Sequence, residues 1–305
     1  MSTTQKVFKA IISSILVILG LLAVGVVTLV ILFTWQDRTS GEIVSSGQER
    51  TYLLHVPSSY APVKPAPLVI SIHGAAGWPA QQMQMSGWND LADEYGFIVV
   101  YPSGTGFPKR WQSSGSSMLD VIFISDLIDE LEKQYNIDPT RIYANGLSNG
   151  AGMSYLLGCK LSERIAAIGG VSGAYSYPLE DCKPSRAVPM IAIQGNDDPI
   201  VTYEGEPGRD GIHHLPNIPV WMAARAAING CVADSSELLA NGAVRGVRYS
   251  VCDDGADVVF YTIEGGGHAW PGGEPMQEWI VGYTSQDINA TQVMWEFFTQ
   301  FSIGE

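Results

Sequence analysis

One run, RIYANGLSNGAGMSYLLGCK at residues 141–160, constrains this chain more than any other. Residues 141–145 read as a strand and residues 151–160 have helix-forming composition. Between them two glycines flank Ser148 in the pattern G-x-S-x-G. A strand that turns this abruptly into a helix needs residues without side chains where the backbones pass, and the turn lifts the serine hydroxyl clear of the sheet. The pattern alone is weak evidence, because a chain with 33 glycines in 305 residues produces roughly 0.3 such matches by chance. Its position between a strand and a helix gives it weight. The helix that follows aims its unpaired amides and positive end at the serine, where negative charge develops in acyl transfer.

The surrounding pattern predicts an α/β fold with a mostly parallel central sheet flanked by helices. Residues 50–56, 67–72, 97–101, 166–171, 189–194 and 258–263 read as further strands, several of them continuous apolar runs of the kind buried on both faces. Helices are expected at 86–95, at 220–227 and at 294–301. Another carries the apolar stripe Ile124, Leu127, Ile128, Leu131 and Tyr135 and ends near Asp138-Pro139. In sheets of this type, function gathers at the loops beyond the carboxyl ends of the strands. A net charge of −14 opposes binding to nucleic acid, which needs clustered Lys and Arg, and favours neutral or polymeric substrates over polyanions.

The first 35 residues pose a separate problem. Ala10–Phe33 contains 24 residues without a charge, which as a helix would span about 36 Å against a hydrocarbon core of roughly 30 Å. The apolar run continues past Ala23 and Gly25, unlike the shorter core of a cleaved signal peptide. The expectation is therefore a membrane anchor through residues 10–33, with a cleaved signal and secretion as the alternative. Lys6 and Lys9 precede the run and would hold the N-terminus in the cytoplasm, leaving the rest extracytoplasmic. Residues 1–35 form the cytoplasmic N-terminus and anchor in this expectation, 36–48 a polar linker and 49–305 the catalytic domain. All four cysteines, Cys159, Cys182, Cys231 and Cys252, fall in the exported part. Three pairings are open to them, of which the sequential one would close two loops of a little over 20 residues each.

A serine hydroxyl is a poor nucleophile near neutral pH until a base removes its proton. Of five histidines, His268 is the candidate. It sits in GGGHAWPGG after the last predicted strand, and in this fold the order is serine, acid, histidine. The acid is expected in QGNDDPIV at 194–201, where Asp197 and Asp198 both qualify. Its task is to hold the imidazole in the correct tautomer. The glycine loop HGAAG at 73–77 is where such a fold draws an oxyanion-hole amide, with a second from the residue after the nucleophile; Ala75 and Asn149 are the expected donors. His73 reads as a residue that fixes this loop. No cofactor is expected, and no C-x-x-C or H-x-x-x-H spacing marks a metal site.

Together the segments SIHGAAG, GFIVVYPSGTG, YNIDPTRIYANGLSNGAGMSY, GNDDPIVTYEG, NGCVADSS and GGGHAWPGG resemble the polyhydroxybutyrate depolymerase and feruloyl esterase-like group of α/β-hydrolases over most of residues 48–300. The resemblance implies Ser148 as nucleophile, Asp198 rather than Asp197 as acid, His268 as base, and two sequential disulfides. Members often carry His where this chain has Gln194, and many resemble freely secreted enzymes without an anchor. The implied activity is hydrolysis of carboxylic esters, on polysaccharide-linked hydroxycinnamoyl (feruloyl) groups or short-chain polyhydroxyalkanoates. Alternatives are a serine peptidase of the same fold and a catalytically silent, membrane-tethered binding protein. Trp88, Trp111 and Trp270 lie in segments expected near the site and are candidates for an aromatic substrate wall. The polar loop 203–215, with His213 and His214, is a candidate lid or rim.

Overall fold

The computed structural model describes residues 3–207, 214–232, 236–238 and 241–304. It divides into two compact units, Met1–Arg38 and Thr39–Glu305. The first is a single helix, α1 (Thr3–Gln36), whose described side chains from Ile12 to Ile31 are exposed. Among the described residues no helix is long and apolar enough to cross a membrane, so the span expected at residues 10–33 finds no support in the fold. The side chains at 10, 11, 29, 32 and 33 lie outside the description.

The second unit is built on one ten-stranded sheet in the order β1-β2-β4-β3-β5-β6-β7-β12-β11-β10. Along the chain these are β1 (Gly41–Ser45), β2 (Gln48–His55), β3 (Ala66–Ile72), β4 (Ile98–Pro102), β5 (Ile137–Leu147), β6 (Ala167–Val171), β7 (Met190–Gly195), β10 (Ser236–Leu238), β11 (Val244–Tyr249) and β12 (Val258–Ile263). The pairs from β4 through β3, β5, β6 and β7 to β12 are parallel, and both edges are antiparallel. A two-residue pair, β8 (Glu206–Pro207) and β9 (His214–Leu215), stands apart from this sheet.

Helices cover both faces because the central strands are apolar on both. On one side α4 (Leu119–Gln134), α5 (Asn149–Lys160) and α6 (Ile218–Ile228) pack Leu127, Met153 and Met222 against Leu68, Ile70 and Ile72. On the other α2 (Pro79–Ser86), α3 (Trp88–Tyr95) and α8 (Ala290–Phe298) pack Met85, Trp88, Met294 and Phe298 against Val69, Val99 and Tyr143. A short α7 (Glu278–Val281) follows the loop that carries His268. The alternation of strands with helices read from the sequence is thus the observed architecture.

The segment 36–48 is not only a tether. Its residues 41–45 form β1, an edge strand whose polar alternation reflects one solvated face. Ser45 is buried and donates to Asp126 on α4 at 2.7 Å. The β10–β11 edge was also not anticipated. Both disulfides are sequential, Cys159–Cys182 and Cys231–Cys252. The first ties the far end of α5 to the loop beyond β6. Such crosslinks fit an oxidising compartment.

Candidate active site

The G-x-S-x-G run turns where β5 hands over to α5. Ser148 holds φ 55° and ψ −118°, a positive-φ conformation that residues with side chains rarely adopt. Packing enforces this. A Cβ on Gly146 would sit 2.6 Å from the Ile72 carbonyl oxygen, and one on Gly150 would collide with the carbonyl oxygens of Ile72 and His73. Both glycines are therefore required by the close approach of β3 to the turn. The backbone is also bonded in place: Ser148 N donates to Val171 O at 2.9 Å, and Ala174 N donates to Ser148 O at 3.1 Å. The Ser148 side chain sits in a cleft of about 470 Å³ lined by Ala75, Trp111, Ser113, Asn149, Ser176, Ile200 and Leu215, among others.

The two candidate aspartates differ in burial and in their partners. Asp197 is exposed, whereas Asp198 is buried and its Oδ2 lies 2.8 Å from His268 Nδ1. The other oxygen, Oδ1, accepts from Ile200 N and Val201 N, each at 2.8 Å. Because an ionised carboxylate only accepts, the proton between the pair sits on His268 Nδ1, and Nε2 is left as the basic atom. His268 is itself buried, and its backbone N–H donates to Val281 O at the end of α7. Among the described residues the Ser148 hydroxyl forms no hydrogen bond, to His268 or to any other group. Catalytic hydrogen bonds of this kind are often long before substrate binds.

Ala75 and Asn149 flank Ser148 in the cleft, and neither backbone N–H has a protein acceptor among the described residues. Asn149 opens α5, where the first-turn amides have no intrahelical partner. Its side chain does separate work. Oδ1 accepts from Trp111 N at 2.7 Å, while Nδ2 donates to Trp111 O at 3.1 Å and to Ser113 Oγ at 2.8 Å. His73 fixes the glycine loop as expected: Nδ1 donates to Gly74 O at 2.7 Å and Nε2 accepts from Gly104 N at 3.0 Å.

Two of the three tryptophans expected as a substrate wall belong to the core. Trp88 is fully buried, stacks on Phe298 and donates to Asn145 Oδ1 at 3.0 Å. Trp270 is 1% exposed and donates to Thr291 Oγ1. Their amphipathic rings find partners inside, so neither offers a face to a ligand. Trp111 borders the cleft but is 2% exposed, its indole N–H donating to His73 O at 3.0 Å. The lid candidate at 203–215 is represented by Tyr203–Pro207 and His214–Leu215. His213 and the side chain of His214 lie outside the described residues. Among those residues no group of three or more His, Cys, Asp or Glu is arranged to hold a metal ion.

Apart from Trp111, the cleft wall at 110–114 was not anticipated, because it rests on pairings outside the segment. Gln112 N donates to Asp120 Oδ2 at 2.8 Å, and Asp120 Oδ1 accepts from Arg50 Nη2 at 2.8 Å. Arg50 lies over the Phe123 ring at 3.9 Å and also donates to Ser103 O. Burial pulls the Arg50 guanidinium below its ordinary range, which Asp120 opposes by charge and hydrogen bond.

Residues 50–200 match the esterase PHB depolymerase family. The chain belongs to this family of carboxylic ester hydrolases. Within the family it is 28% identical over 284 residues to NocK of Nocardia uniformis subsp. tsuyamanensis, which carries the name of an esterase, covering 85% of this chain and 82% of that one. It is 29% identical over 269 residues to feruloyl esterase B of Piromyces equi, covering 83% of this chain but only 46% of the relative. The family fold recurs in the solved acetyl xylan esterase from Aspergillus awamori, with a TM-score of 0.61 at 17% identity over 85% of this chain and 98% of that one.

The buried pair predicts a stability test. Asp120→Ala should lower the free energy of unfolding by about 3–5 kcal/mol, because it leaves the Arg50 charge uncompensated. The double variant Arg50→Met, Asp120→Leu should recover much of that loss. Chemical denaturation of the three proteins checks both expectations.

Proposed function

We propose that this esterase works through an acyl-enzyme on Ser148, with His268 as general base and Asp198 as the acid that orients it. The carrying observation is the Asp198–His268 pair at 2.8 Å, which shares the carboxyl end of the sheet with the strained serine. In this mechanism Nε2 of His268 takes the hydroxyl proton as Ser148 Oγ attacks the ester carbonyl. The oxyanion accepts hydrogen bonds from the Ala75 and Asn149 amides, each worth about 3 kcal/mol in the transition state. Collapse expels the alcohol, protonated by His268. Water activated by the same Nε2 then releases the acid and restores Ser148.

The cleft has two characters, which favours an amphipathic substrate. Gln112, Ser113, Ser114 and Ser176 supply a polar wall, while Ile200, Val201 and Leu215 supply an aliphatic one. An acyl group against the aliphatic side and a hydroxyl-bearing alcohol against the serines fit this division. We infer polysaccharide-linked hydroxycinnamoyl esters as the leading substrate class and short polyhydroxyalkanoates as the second. The family supports both, since relatives include feruloyl esterase B and a poly(3-hydroxyalkanoate) depolymerase C.

Anchoring through residues 10–33, with the catalytic domain outside the cytoplasm, rests on the uncharged sequence of that stretch. If it holds, the full chain should stay with membranes through alkaline carbonate extraction, and a chain beginning at residue 36 should not. Release of the full chain by carbonate would contradict anchoring. For the chemistry, Ser148→Ala should lower kcat on a short aryl ester by at least about a thousandfold, with the fold kept. The same assay on acetyl, feruloyl and hydroxybutyrate esters ranks the acyl groups; near-normal turnover by Ser148→Ala would refute the proposed mechanism.

A further inference from the structure

We propose that Gln194 is a positioning residue that holds Asp198 against His268 through the carboxylate oxygen nearer the ring. The inference rests on the triad assignment above. Gln194 is the penultimate residue of β7 and is 1% exposed. Its Nε2 donates to Asp198 Oδ2 at 3.0 Å and to Val201 O at 3.1 Å. Oδ2 is also the oxygen nearer His268 Nδ1, at 2.8 Å against 3.1 Å for Oδ1. The two backbone donors, Ile200 N and Val201 N, both go to Oδ1. Among the described residues, Gln194 is thus the one donor besides His268 on the oxygen that the histidine faces.

The orientation of the amide follows from its neighbours. Both atoms facing Nε2 are acceptors, so a flipped amide would set oxygen against two oxygens. Through Val201 the same amide links the acid to the aliphatic wall of the cleft. A shift in that wall is therefore felt by Asp198.

The electrostatic consequence has a definite sign. A donor on Oδ2 disperses carboxylate charge that would otherwise face the ring, so removing it strengthens the attraction between Asp198 and a protonated His268. An amide does this at every pH with two N–H groups, whereas an imidazole offers two only when protonated. The other ionisable groups around the pair lie at the rim or stay neutral. Asp197 and Glu278 are exposed, and Glu264 is engaged by Asn196 and Arg245. Tyr203 is bonded to Thr262, the β12 neighbour of Gln194, and burial pushes its phenol up.

The test uses Gln194→Leu and the near-isosteric Gln194→Glu in the full chain, with p-nitrophenyl acetate as substrate across the acid and neutral range. Both variants should lose roughly tenfold in kcat with KM within about twofold. The acid-side midpoint of kcat/KM should move up, by about half a unit for Leu and by about one unit or more for Glu, which sets a second carboxylate beside Asp198. Gln194→His should steepen the acid limb by adding a second ionisation. A lowered thermal midpoint with an unmoved pH profile would mean a merely structural role and would overturn the proposal, as would wild-type kinetics in Gln194→Leu. If the Leu variant does not fold, the Glu variant carries the test alone. Asp198→Asn separates the two levels: full activity there overturns the triad assignment, whereas an inactive Asp198→Asn beside a normal Gln194→Leu overturns only the role of Gln194.

Discussion

The close passage of β3 against the β5–α5 turn is the constraint from which the site follows. With Ile72 and His73 carbonyls pressed against Gly146 and Gly150, no side chain fits on either flank of the turn. The backbone must reverse within a few residues, and Ser148 takes the strain, at φ 55°. The cost is offset by burial on both faces of the central strands and by hydrogen bonds to Val171 and Ala174. The same approach brings the glycine loop at 73–77 beside the serine, so Ala75 and Ser148 line one cleft.

A second layer of order comes from polar side chains that are not themselves at the reacting centre. His73, Asn149 and Asp120 each bridge segments far apart in sequence and together hold residues 104–113, which lead into the cleft wall at 110–114. Gln194 does the equivalent for the acid. Buried polar groups of this sort are costly unless paired. The bonds from Asn149, Asp120 and Gln194 also orient residues that line the cleft or hold His268, so rigidity and site geometry share a source.

Much of this was legible in the chain. Strand and helix periodicities gave the layered α/β architecture because central strands buried on both faces leave unmistakable apolar runs. The order of serine, acid and histidine pointed to segments that the fold brings to the carboxyl end of the sheet, with Asp198 bonded to His268. Which of two adjacent, chemically alike aspartates faces inward had no sequence signal: Asp197 is exposed, and Asp198 is buried against His268. Tryptophans misled for the opposite reason. Trp88 and Trp270 lie near the site in sequence, but their rings fill the core behind it. Polar β1 passed for a linker since an edge strand with one wet face has little apolar signal. The wall at 110–114, Trp111 apart, and the bond from Gln194 to Asp198 had no local signature, because they depend on Asp120, Asn149 and Asp198, met only in the fold.

The central claim is that Ser148 is the nucleophile and that its reactivity depends on His268. Reaction with a fluorophosphonate, followed by mass spectrometric mapping of the modified peptide, tests it most directly. The account predicts a single adduct on Ser148 in the native protein and its near-complete loss in His268→Ala. An adduct on a different serine, or equal labelling of Ser148 without His268, would contradict it.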